Sequence, residues 1–275
     1  MAAQPEITNM ALFCDFENIA LGVRDAKYVP FDIRKVLERL LLKGSIVVKK
    51  AYCDWDRYKE FKGVMHEAAF ELIEIPHVRQ SGKNSADIRM VVDALDLCYT
   101  KSHVDTFVII SGDSDFSPLV SKLRENNKYV IGIGVKDSTS DLLSANCDEF
   151  IFYDDLVREQ EAKKKQAARK LPVKPAAGTG KQVESKGEES KRQEALDFLI
   201  ETVEAIISER GSDEKIWGSM VKQTMQRRKP GFNESSYGYR SFKELVEDAQ
   251  QHKLLLIVRD EKSGQYTIRL SPVDN

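Results

Sequence analysis

The chain has 275 residues, with 42 Lys or Arg against 44 Asp or Glu and 41% hydrophobic residues. That apolar share is enough for one large or two smaller packed domains and excludes a wholly disordered chain. No apolar run approaches the roughly 18–20 residues that span a bilayer, and residues 1–10 lack a cationic start followed by an apolar stretch, so a cytoplasmic protein without membrane contact is expected.

Six apolar runs precede residue 158. The first, residues 10–14 (MALFC), is unbroken and closes on Asp15. The second, 46–53 (IVVKKAYC), is rich in β-branched residues and closes on Asp54. Phe61, Val64, Met65, Ala68, Ala69 and Leu72 then recur at helical spacing, before an alternating run at 72–78 (LIEIPHV). A second helical period follows, with Ile88, Val91, Val92, Leu95 and Tyr99 on one face and Ser85 at the expected N-cap. The fourth run, 106–111 (TFVIIS), leads into Gly112-Asp113-Ser114-Asp115, with Asp115 at a second expected N-cap. Runs at 129–135 (YVIGIGV) and 149–153 (EFIFY) complete the set. Fully apolar runs suit strands buried on both faces, and their alternation with helical periods predicts an open, doubly wound parallel α/β sheet.

Residues 158–191 carry a net charge of +5, between −6 for residues 1–157 and −1 for 192–275. With Pro172, Pro175, Gly178, Gly180 and Gly187 and few large apolar side chains after Leu171, this stretch reads as a flexible basic linker. Three domains of sequence follow: 1–157, the linker 158–191, and 192–275. In the last, Leu196, Leu199, Ile200, Val203, Ile206 and Ile207 mark one helix, with Gly211 just past its end. Residues 216–225 mark a second, and Tyr239, Phe242, Leu245, Val246 and Ala249 a third. Two β-rich runs around Gly264 predict a terminal hairpin. Three helices and a hairpin are the pattern of a winged helix.

The four cysteines (Cys14, Cys53, Cys98, Cys147) form no C-x-x-C pair and have no His at zinc spacing, so reduced, buried thiols are expected. The chemistry is expected instead at the carboxyl ends of the strands, where parallel sheets bind ligands. There stand Asp15, Asp113 and Asp115, joined by Asp87 in the first turn of its helix. If the first and fourth strands are neighbours, these carboxylates crowd together. Like charges repel, and a hard divalent cation such as Mg2+ or Mn2+ is their natural partner. Such an ion activates water and offsets phosphodiester charge. Asp93 lies about 240° round the helix from Asp87, at 100° per residue, and is expected outside this group.

The segments ALFCDFENI, GKNSADIRMVVDALD, TFVIISGDSDFSPLVSKLRENNKYVIGIG and LLSANCDEFIFYDDL resemble the NYN domain family of PIN-like nucleases over residues 9–157. The resemblance implies a three-layer α/β/α domain with a central parallel sheet and an acidic site that holds Mg2+ or Mn2+ for RNA cleavage. Its metal and catalytic residues fall on Asp15, Asp87, Asp113 and Asp115. Asn18 falls where a side chain would bond a carboxylate or a substrate phosphate. Lys83, Ser111 and Ser114 are further candidates for substrate contact. The stretch KPGFNESSYGYRSFKELVEDAQ is similar to the LOTUS (OST-HTH) domain, over about 193–270. That implies binding of RNA, G-rich or structured, or docking of a protein partner. Lys222, Arg227, Arg228 and Lys229, beside Tyr237 and Tyr239, form a cationic and aromatic group suited to phosphates and bases. Three readings stay open from sequence: a metal-dependent ribonuclease, a non-catalytic RNA-binding adaptor with a vestigial acidic site, and a DNA-binding winged helix with a nuclease partner domain. A homo-oligomer is compatible with each.

Overall fold

The structure, a computed structural model, describes residues 8–26, 30–75, 84–169, 185–211, 214–259 and 266–271. The chain divides into two compact units, parted near residue 171.

The first unit is built on six parallel strands: β1 (Asn9–Asp15), β2 (Ser45–Cys53), β3 (Glu71–Glu74), β4 (Thr106–Ile110), β5 (Tyr129–Gly134) and β6 (Glu149–Phe152). Their order in the sheet is β3-β2-β1-β4-β5-β6. Strands β1 and β4 are therefore central neighbours, paired in register from Met10↔Thr106 to Cys14↔Ile110, and the sheet's winding reverses between them. Residues 10–14 and 106–110 are buried throughout, as expected of strands covered on both faces. Alternate side chains enter two cores. Leu12, Cys14, Val108 and Ile110 join one, and Ala11, Phe13, Phe107 and Ile109 the other. Burying each large side chain contributes roughly 1.5–3 kcal/mol.

Helices α1 (Phe16–Asp25), α2 (Ile33–Lys43), α3 (Lys59–Glu67) and α7 (Tyr153–Arg169) accompany the first core, and α4 (Ser85–Thr100) and α5 (Ser117–Glu125) the second, with the short α6 (Asp141–Asn146) between β5 and β6. This is the three-layer α/β/α arrangement expected from the sequence. Three local expectations are corrected. Helix α3 stops at Glu67, because Ala69 takes a left-handed φ of 57°; Ala69 and Leu72 lie beyond it, and Met65 is the helix's buried residue. Helix α4 turns Met90, Ala94 and Cys98 to the sheet, packs Val91 and Leu95 partly buried against the same core, and leaves Ile88, Val92 and Tyr99 exposed. The small side chains at 94 and 98 let its backbone approach the strands. Neither Ser85 nor Asp115 is an N-cap. Asn84 precedes α4 without a side-chain cap, and Asp113 caps the 3-10 turn Ser114–Phe116 that leads into α5. Of the expected strand 72–78, residues 76–78 lie outside the described residues.

In the second unit α8 (Ser185–Arg210), α9 (Gly218–Arg228) and α10 (Phe242–Gln251) precede an antiparallel hairpin of β7 (Leu255–Arg259) and β8 (Tyr266–Leu270). Leu196, Leu199, Val203, Val221, Leu245 and Ile268 share its core. Gly211 ends α8 with φ 90°, its N–H donating to the Ile207 carbonyl at 2.8 Å. Trp217 bridges to Thr267, tying the start of α9 to the hairpin. Helices and hairpin together make the expected winged helix. Of the expected linker, 158–169 continues α7 and 185–191 opens α8. Among the described residues no helix is long and apolar enough to cross a membrane.

Candidate active site

Asp15 ends β1 and at the same time caps α1, its Oδ1 accepting the Asn18 N–H at 3.3 Å. Its other oxygen accepts the Ser111 hydroxyl at 3.1 Å, across the β1–β4 pair. The loop after β4 is fastened to the same point. The Gly112 N–H donates to Asn18 Oδ1 at 2.9 Å, and the Asp113 N–H to Ser111 Oγ at 3.2 Å. From its far side the Ser140 N–H donates to the Gly112 carbonyl at 2.9 Å. Glycine is required there, since a Cβ at 112 would stand 2.6 Å from the Ser138 carbonyl oxygen. Asp113 then accepts the Asp115 N–H at 2.9 Å. Backbone capping therefore decides where both loop carboxylates stand.

Asp15 is 8% exposed. Burial, the Asp87 charge and, more weakly, the Asp113 charge push its carboxyl up to about 7, against the opposing hydrogen bonds from Asn18 and Ser111. Burial raises half-buried Asp87 to about 6, with help from Asp113, Asp115 and Glu17. Among the described residues no Lys or Arg forms an ion pair with Asp15, Asp87, Asp113 or Asp115. Asp93 shows the alternative. It accepts the Tyr52 hydroxyl at 2.9 Å and pairs with Lys50 at 3.3 Å and Arg89 at 3.1 Å. Asp93 is a balanced charge between α4 and β2; the four acids at the switch point have no such partner among the described residues.

The donor set is all oxygen and its charge is uncompensated, which fits a hard divalent cation in chemistry. A ready coordination shell is a different matter: among the described residues no group of three His, Cys, Asp or Glu side chains is gathered to hold an ion. Each oxygen of Asp15 accepts one hydrogen bond, from Asn18 and from Ser111, and Asp113 Oδ1 accepts the Asp115 N–H, which leaves each a further lone pair, and Asp115 is exposed.

Ser111 is fully buried and donates to Asp15, and half-buried Asn18 donates its backbone N–H to Asp15 and accepts the Gly112 N–H at Oδ1, so both brace the loop. Ser114 is half-buried and lines a groove with Asp87 and Asp115. Lys83 lies outside the described residues. Glu17 and its partner Arg57, at 3.1 Å, were not foreseen; Glu17 sits two residues after Asp15, but nothing in the sequence joins it to a residue 40 positions on.

The cations of the second unit are paired within it, with Arg228 largely buried and Lys222 and Lys229 still partly exposed. Arg228, 13% exposed along its side chain, pairs with Glu201, donates to Thr202 Oγ1 at 2.8 Å and lies over the Phe198 ring. Lys229 reaches Glu194 at 3.0 Å and the Tyr237 hydroxyl at 2.8 Å. Lys222 pairs with Glu234 at 2.9 Å, and Arg227 donates to Thr224 Oγ1 at 2.9 Å. These side chains clamp α9 and the Glu234–Tyr237 turn, and α9 to α8.

A parallel six-stranded sheet carrying carboxylates at the ends of its two central strands, layered between helices, defines a PIN-like α/β/α domain. The chain belongs to the NYN domain family, whose profile matches residues 9–154, and an OST-HTH/LOTUS domain matches residues 191–266. It is similar to an uncharacterized protein of Methanocaldococcus jannaschii, 29% identical over 137 residues, 49% of this chain and 54% of that one. It is also similar to the meiosis regulator and mRNA stability factor 1 of Xenopus tropicalis, 26% identical over 157 residues, 57% of this chain and 9% of that one. The chain thus spans about half the length of the first relative and under a tenth of the second. The solved structure of a protein of unknown function from Vibrio parahaemolyticus matches 56% of this chain and 98% of that one, at 26% identity and a TM-score of 0.49.

Proposed function

We propose that the protein is a divalent-metal-dependent ribonuclease: the NYN domain hydrolyses RNA phosphodiester bonds and the LOTUS domain holds the RNA. One observation carries this reading. A nearly buried carboxylate, Asp15, stands in the field of Asp87 and Asp113 with no described cation to balance it. Asp15, Asp87 and Asp113 would hold Mg2+ or Mn2+, with Asp115 completing the site. The bound ion supplies a water of lowered pKa and offsets charge on the phosphodiester. Ser111 and Asn18 fix Asp15 and the Gly112-Asp113 turn in mutual register, so a ligand on one carboxylate finds the other already placed. The name of the Xenopus relative, an mRNA stability factor, points to the same substrate class. RNA held by the LOTUS domain reaches the nuclease at a raised effective concentration.

The test is cleavage of single-stranded RNA with Mg2+ or Mn2+ and with EDTA, wild type beside Asp113→Asn. Asn caps a turn as well as Asp does, so the variant keeps the loop and loses the charge. A loss of at least about a hundredfold is expected. A second reading, a non-catalytic RNA-binding adaptor, is favoured by the lack of any gathered group of three ligating side chains among the described residues. It predicts RNA binding without turnover in either metal.

A further inference from the structure

Between α1 and the start of α3 lies a cleft of about 410 Å3, unlike the acidic site in its lining. Arg24 and Arg57 stand at it, Phe31, Tyr58 and Phe61 contribute rings, and Glu60 is the single carboxylate in its described lining. The cleft and the acidic site are attached to consecutive residues. Asp15 belongs to the acids. Phe16, fully buried, packs against Tyr58 at 5.6 Å and Phe61 at 5.1 Å. Glu17 accepts the Arg57 guanidinium at 3.1 Å. Glu17 is near enough for its charge to act on Asp87, and the Tyr58 hydroxyl feels Glu17, Arg57 and Arg24 together. Cations, rings and acids are thus held in one fixed array.

A polynucleotide approaching four carboxylates needs positive charge close by, and Arg57 is the cation that this array holds there. Its bond to Glu17 is no obstacle. The pair is 51% and 35% exposed, so water screens it and it is weak. A guanidinium fork also matches phosphate oxygens as well as it matches a carboxylate. Arg24 is paired with Asp25 at 3.0 Å in a still more exposed pair. Tyr58 and Phe61 are partly buried, packed on Phe16, and line the cleft with what remains exposed.

We infer that this cleft binds a nucleotide flanking the scissile bond of a single-stranded polynucleotide, with Arg57 and Arg24 on its phosphate and the Tyr58 ring against its base. The inference rests on the nuclease reading for the identity of the ligand. It adds a substrate subsite on the α1 side and makes Arg57 a substrate-binding residue, the charge that offsets Glu17 until phosphate arrives.

The experiment uses the full chain and a fluorescent single-stranded RNA of mixed sequence. Affinity is read by anisotropy in EDTA across a salt series, and KM and kcat with Mn2+, for wild type, Arg57→Ala, Arg57→Lys and Arg24→Ala. Arg57→Ala is expected to weaken binding and raise KM about tenfold with a smaller effect on kcat, and to lower the salt slope by about 0.7, one single-strand phosphate contact. Arg57→Lys keeps the charge and restores the slope, but regains only part of the affinity. Thermal midpoints of all variants stay at the wild-type value, because the pairs are exposed. If wild type cleaves and Arg57→Ala leaves KM and slope unchanged, the subsite is rejected and the nuclease reading stands. A fall in kcat alone rejects it too, since that would place Arg57 behind Glu17 rather than on substrate. If wild type does not cleave, the nuclease reading fails; a reduced slope then keeps the cleft as a nucleic-acid site, and an unchanged slope rejects both.

Discussion

Asp15→Asn should stabilise the metal-free protein while abolishing its activity. In the folded chain burial and two neighbouring carboxylates raise Asp15 from its usual 3.8 to about 7. At about 1.4 kcal/mol per pH unit, this difference sets a penalty of about 4 kcal/mol on the ionised form. The sign follows from proton binding. The folded state holds the proton more tightly than the unfolded state, so nothing is lost below about pH 4. Stability falls as pH rises through 7 and stays low above it. Asn carries no charge and can still accept the Asn18 N–H, while its amide can donate to Ser111 Oγ. The variant should therefore gain about 2–4 kcal/mol over wild type at pH 8 in EDTA, with the gain fading toward pH 4. Urea unfolding at unit pH steps, read on the first unit's transition, measures this directly. A gain that does not depend on pH would assign the effect to packing. A variant less stable than wild type at pH 8 would refute the reasoning, because Asp15 would then be stabilised by its surroundings as a charge. Adding Mn2+ should reverse the order above pH 7, stabilising wild type and leaving Asp15→Asn unmoved.

Gly112→Ala forces a methyl group to 2.6 Å from the Ser138 carbonyl oxygen and 3.0 Å from Thr139 Cα; a loss of about 2–3 kcal/mol in urea unfolding is expected, with a fall in cleavage as Asp113 shifts. Arg228→Ala removes a largely buried guanidinium from Glu201, Thr202 and the Phe198 ring; it should destabilise the second unit by about 1–3 kcal/mol and leave the salt slope of RNA binding where it was. An unchanged stability with a lowered slope would restore Arg228 to the RNA surface.

The sheet was legible in the sequence because central parallel strands bury both faces. Runs such as 10–14 and 107–110 have no polar residue to place, and only the strand order remained for topology to supply. Helix faces were less legible. In α4, Ile88, Val92 and Tyr99 satisfy a helical period as well as Met90, Ala94 and Cys98 do. Hydrophobicity favours the larger set; the sheet took the smaller one, since Ala94 and Cys98 permit close approach. The partners of the second unit's cations were not legible for a related reason: the fold brings Glu201 and Glu194 against the Arg-Arg-Lys run from 27 and 35 residues away in sequence.

The acids themselves pose a harder question, because a carboxylate after a strand can serve as a helix cap or as a ligand, and the sequence signal for the two is the same. Here Asp15 and Asp113 are caps. Capping does not make them inert. At a helix N-terminus the backbone favours the negative charge, usually by about 0.3–1 kcal/mol. For Asp15 this and the Ser111 hydrogen bond are outweighed, since its carboxyl still stands near 7. A residue placed only to cap gains nothing from burial beside two further carboxylates, whereas Asp93, partly buried on α4, is given two cations and a phenol hydroxyl. The capping bonds fix where Asp15 stands, and the unopposed charge left over after those bonds are counted is what a divalent ion would balance.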